Sequence, residues 1–163
     1  MKRPILLVAL GALLLFAVIV PGAGAAKSSD YVAPMSHAQE VAKIHAPGAG
    51  GMATFRVDGN VLHYEISVRR LTGPASMAHI HGPADRGDSA GISIWLCGTA
   101  TLPGPAGTPV CTSTTDGVLV AGSVTVTTEQ LAMLDAGLGY ANVHTALHPP
   151  GEVRGQVLPV GSG

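Results

Sequence analysis

Glycine and proline punctuate this chain so densely, 22 and 12 times in 163 residues, that only short elements fit between them. Proline removes a backbone donor and glycine costs chain entropy, so each cluster ends an element or opens a turn. The runs in between are rich in Val, Ile, Tyr and Thr. The clearest pair is a hairpin: Met52 to Val57, a turn at Asp58-Gly59-Asn60, and a return strand from Val61 to Val68. On the return strand Leu62, Tyr64, Ile66 and Val68 alternate with Val61, His63, Glu65 and Ser67. Period two sends the first set to a core and the second, His63 included, to solvent. Further strands fit Met77–His81, Ile92–Leu96, Val118–Thr125, Tyr140–His144 and Glu152–Leu158, and a weak first strand starts at His37. One helix is written into EQLAMLDAG. Thr127 or Thr128 caps it, Leu131 and Leu134 share a face, and Gly137 stops it. The fold class this predicts is all-β, a sandwich or barrel with one short helix.

The N-terminus follows other rules. Lys2 and Arg3 precede an apolar run from Ile5 to Val20, Pro21-Gly22 breaks it, and Ala23-Gly24-Ala25 supplies small residues at the right spacing for cleavage. The run is shorter than the roughly 20 residues a membrane-spanning helix needs, so residues 1–26 read as a signal peptide and not an anchor. No second such run follows, so no membrane span is expected after cleavage. Residues 27–35 read as a flexible lead-in, 36–158 as one domain with one core, and 159–163 as a disordered tail. Lys2 and Arg3 are two of the nine basic residues, so the exported part keeps seven against ten acidic ones, a formal charge of −3. Without a basic cluster beyond Arg69-Arg70, nucleic acid is not an expected partner. The two cysteines, Cys97 and Cys111, read as a disulfide in an oxidising compartment, stapling the Gly- and Pro-rich loop between them. With no third cysteine or CxxC spacing, a thiolate metal site is the weaker reading.

Three segments crowd polar residues into strands. In MAHIHGPA, His79 and His81 are two apart and present their rings on one side. In YANVHT, Tyr140, Asn142 and His144 share a face; in GEVRGQ, Arg154 and Gln156 do. Two explanations compete. In one, His79, His81 and His144, with His148 as a further candidate, hold copper or zinc, since imidazole suits both, and Glu152 or Asn142 orients a ligand by taking its second ring N–H. In the other, the same residues form a buried network in which Arg154 pairs with a carboxylate such as Glu152 or Glu40 and strand register is pinned. A metal site requires the ring nitrogens within about 4 Å of one another, given metal–nitrogen bonds near 2 Å. A network requires each ring to be already bonded to backbone or carboxylate. Neither Ser76 nor Ser93 lies in a G-x-S-x-G elbow, so a hydrolytic enzyme is a remote third class, and no catalytic residue is assigned.

At these residues the chain resembles the CHRD family, the domain first defined in chordin. The resemblance rests on HIHGPADRG (79–87), LDAGLGYANVHTALHPPGEVRGQV (134–157) and AQEV (38–41), and spans about 36–158. It implies an extracellular, immunoglobulin-like β-sandwich or barrel module and brings no catalytic residues to transfer. The expected function is therefore that of an exported, non-catalytic binding or structural module in the periplasm or at a cell surface. Its partner would be an extracellular protein or envelope component. The alternative is a copper or zinc protein.

Overall fold

The computed structural model describes residues 29–161, and the signal-peptide segment lies outside them. Nine strands form one antiparallel sheet: β1 (Ser29–Ser36), β2 (Gly50–Asp58), β3 (Val61–Arg69), β4 (Ala75–His81), β5 (Ile92–Cys97), β6 (Gly117–Thr125), β7 (Tyr140–Thr145), β8 (Val153–Gln156) and β9 (Leu158–Pro159). Their order is β5-β4-β7-β8-β1-β2-β3-β6, with β9 continuing along β1. The sheet curls into a nearly closed barrel. Its two edge strands, β5 and β6, are brought together by side chains and by the loop between them. Tyr64 on β3 donates to the Leu96 carbonyl at 2.7 Å, and Cys97 is bonded to Cys111, beyond which Thr112 N–H donates to Leu119. Fold class and disulfide are as the sequence indicates.

The helix α1 (Thr128–Asp135) has Thr127 as its cap, with a reciprocal bond to Gln130 completing a capping box. Gln130 also reaches across to the Ser93 carbonyl at 2.7 Å, so the cap ties the helix to the β5 edge. The β2–β3 hairpin pairs Gly50 to Asp58 with Val61 to Arg69. Leu62, Tyr64, Ile66 and Val68 are buried on it, and His63 is exposed, as alternation demands.

Four boundaries differ from the sequence reading. The lead-in is not free: from Ser29 it forms β1, paired with β2 along eight residues and with β8 and β9 on its other side. Tyr31, Ala33 and Met35 point into the core. Pro34 disguised this strand, because proline donates no ladder bond and argues against an interior position. Gly155 faces it so closely that an added Cβ would lie 2.3 Å from the Pro34 carbonyl oxygen. Conversely, the weak strand placed after His37 is a single 3-10 turn, His37–Gln39, and a loop. The tail is also tied down in part. Leu158 and Pro159 pair with Val32 and Tyr31, and Val160 N–H donates to Asp30 at 2.8 Å. The last strand is interrupted at Val157, whose N–H turns to Gly139.

Candidate functional site

Strands β4, β7 and β8 are buried on both faces. Ala78, Ile80, Ala141, Val143 and Val153 face the barrel core, while the alternate positions carry the polar residues. Strand register sets those out in rows. His79 lies between Trp95 of β5 and Asn142 of β7, and Asn142 is followed by Arg154 of β8. His81 lies beside Tyr140, then Gln156; Met77 lies beside His144. The chain that leaves β4 and the turn that leaves β7 fold over this face. Both are anchored to it by the site itself: Gln156 donates to Ala84, Tyr140 Oη exchanges bonds with the Ala90 backbone, and His144 reaches the Pro149 carbonyl.

The three rings converge. Ligand-type nitrogens of His79, His81 and His144 lie within 4.8 Å of one another, the one such grouping of His, Cys, Asp or Glu among the described residues. The spread is wider than the anticipated 4 Å, although one pair is close, His79 Nδ1 and His144 Nε2 at 3.2 Å. That is near the ~3.3 Å edge separating two nitrogens bound to a tetrahedral zinc at ~2.0–2.1 Å. His148 stays outside the group. Its backbone N–H caps the turn by donating to Thr145.

The hydrogen bonds fix which nitrogens are available. His81 Nδ1 faces the Ala90 carbonyl at 3.0 Å, and His144 Nδ1 faces that of Pro149 at 2.8 Å. A carbonyl only accepts, so both Nδ1 atoms carry the proton and both Nε2 atoms expose a lone pair. His81 Nε2 is buried with no partner, and so is His79 Nε2. Burial lowers the pKa of all three rings, that of His79 to about 3, with His144 and His81 contributing by their charge. At neutral pH the cluster is three neutral imidazoles. The orienting groups are backbone carbonyls, which leave no residue-type signal in a sequence, and not Glu152 or Asn142 as anticipated.

Around the rings, Trp95 meets His79 edge-on at 4.2 Å between centroids. Tyr140 is stacked on His81 at 5.0 Å, with the Arg154 guanidinium 3.4 Å from the centre of its ring. Asn142 donates to Glu40 Oε1 at 3.0 Å, and its own Oδ1 is buried without a partner. Burial raises the Glu40 pKa to about 7, against the pull of Arg154 and Asn142. Gly151, at φ +136°, closes over this pair; a Cβ there would lie 2.6 Å from the Asn142 amide and 2.7 Å from Glu40. Trp95 was legible only in part. It alternates with core residues Ile94 and Leu96, but its place beside His79 depends on sheet register.

Glu152 belongs elsewhere. It is fully buried and accepts from Thr72 N–H at 2.6 Å, Thr72 Oγ1 at 2.7 Å and Thr145 Oγ1 at 2.6 Å. The expected pairing with Arg154 is therefore not made. Glu152 precedes β8, directly after the positive-φ Gly151, and its carboxylate lies with Thr145, in opposite phase to His144. Arg154 itself donates to the Asp85 carbonyl at 3.4 Å.

The CHRD domain family model matches residues 31–157, most of the chain. The protein belongs to the CHRD domain family. No curated protein and no solved structure gives a match. The disulfide is consistent with an extracytoplasmic protein, and no helix among the described residues is long and apolar enough to cross a membrane.

Proposed function

We propose that this CHRD domain is an exported, non-catalytic module that binds a copper or zinc ion through His79, His81 and His144. The observation that supports this above all is a buried cluster of three neutral imidazoles in which His79 Nδ1 and His144 Nε2 share one hydrogen bond at 3.2 Å while two further ring nitrogens have no protein partner. Each ring of a structural network would be satisfied, because a buried polar atom left unpaired costs about 1–3 kcal/mol. Here the Nε2 atoms of His81 and His79 lack partners, while the outer nitrogens of His81 and His144 are held by carbonyls. That division of labour is what metal-binding histidines require: one nitrogen free for the ion, the other fixing tautomer and ring orientation.

The test is elemental analysis and calorimetry of the purified protein with copper and zinc, beside a His79→Ala/His81→Ala variant. One equivalent bound by the wild type and lost in a folded variant is the expected result. No binding by the wild type, together with a lower melting temperature in the variant, would make the histidines part of the scaffold.

A further inference from the structure

Building on that metal-binding reading, we propose that the three-histidine site is made for monovalent copper and discriminates against divalent zinc and copper(II), and that Arg154 sets this preference. The argument is one of charge. The ligand set contributes none: no carboxylate joins the three imidazoles, and both cysteines are consumed in the disulfide. Whatever charge the ion brings therefore stays uncompensated at a site where His79 is fully buried.

A fixed positive charge is buried next to it. Arg154 is only 3 % exposed, and its guanidinium lies over the Tyr140 ring on which His81 is stacked. The carboxylate whose own pKa Arg154 influences, Glu40, is hydrogen-bonded to Asn142 and to no histidine. An ion of charge +2 meets twice the repulsion from Arg154 that an ion of charge +1 meets, and its desolvation cost, growing with the square of charge, is roughly fourfold larger.

Coordination number points the same way. Zinc completes a tetrahedron, and copper(II) prefers a tetragonal set of four or more donors. The cluster offers three and no fourth His, Cys, Asp or Glu among the described residues. Three imidazole nitrogens complete a trigonal shell for monovalent copper without admitting water.

The experiment titrates the purified protein with Cu(I), under anaerobic reducing conditions, against a chromophoric Cu(I) chelator, and with zinc against a fluorescent one. Trp95, the sole tryptophan, reports locally, because copper held on His79 quenches its emission and zinc does not. The wild type is expected to bind Cu(I) at least about 100-fold more tightly than zinc, a difference the charge terms above can supply. Arg154→Met is expected to raise zinc affinity about ten-fold, to move Cu(I) affinity less and to lower the copper reduction potential, while Arg154→Lys keeps the wild-type ratio. Zinc binding as tightly as Cu(I) in the wild type overturns the proposal while leaving the metal site standing, and needs no variant. An unchanged ratio in folded Arg154→Met overturns the role of Arg154. Failure to bind either ion overturns the metal-binding reading, and this proposal with it.

Discussion

Two buried polar clusters meet on β7, at the neighbouring residues His144 and Thr145, and they are finished differently. Around Glu152, one carboxylate accepts from three donors supplied by Thr72 and Thr145. Around His79, three rings turn towards one another, with buried nitrogens left without partners. Folding tolerates the first because every desolvated acceptor regains its bonds. It tolerates the second only because neutral imidazole is cheaper to bury than charge, and some cost remains. A satisfied cluster holds strands together; an unsatisfied one, kept in place by carbonyls on its outer side, keeps the lone pairs that the proposed metal ion would take.

The largest effect should come from the satisfied cluster. Glu152→Ala leaves the buried Thr145 hydroxyl without its acceptor and releases the Thr72 loop, and should cost about 3 kcal/mol, read as a shift of the urea midpoint at unchanged slope. A loss below about 1 kcal/mol would show that this network is not what joins the Thr72 loop to β7. Metal should come next. At a free ion concentration one hundred times the dissociation constant, the wild type should gain about 2.7 kcal/mol, and His79→Leu should gain nothing. Without metal, His79→Leu should change stability by less than about 1 kcal/mol, since an apolar side chain of similar size replaces a poorly satisfied polar one. A large loss in the metal-free variant would erase the contrast between the clusters.

The last comparison concerns Glu40, at the border of the histidine cluster. Its carboxyl is raised from 4.5 to about 7 in the folded protein, so the folded state binds this proton more tightly than the unfolded chain does. The resulting stabilisation is complete below pH 4.5 and is lost as pH rises towards 7. Glu40→Gln keeps an acceptor for Asn142 and cannot titrate. The stability of the wild type relative to this variant should therefore fall between pH 4.5 and 7 and level off above. Denaturation curves of both proteins at pH 5 and pH 8 check the sign, and a constant difference would place the Glu40 carboxylate in water.

Much of the fold was legible because it depends on local alternation and turn chemistry. The β2–β3 hairpin with its inward Leu62, Tyr64, Ile66 and Val68, and the helix capped at Thr127 or Thr128, are each written within a few neighbouring residues. β1 was not, since Pro34 and the polar residues before it read as a lead-in, and only pairing with β2, β8 and β9 makes them a strand. For the candidate site, period two put His79 and His81 on one side and Tyr140, Asn142 and His144 on another strand's single face, and the fold brought those faces together. Sequence also supplied the disulfide partners, there being only two cysteines. What it could not supply was the choice of partners. Gly151 turns Glu152 away from Arg154, the Ala90 and Pro149 carbonyls take the outer histidine nitrogens, and Arg154 settles on Tyr140. Alternation along one strand is a property of the chain, fixed by the geometry of extended backbone. Which lone pairs remain free is a property of register and of the loops closed over them, and only the tertiary structure decides it.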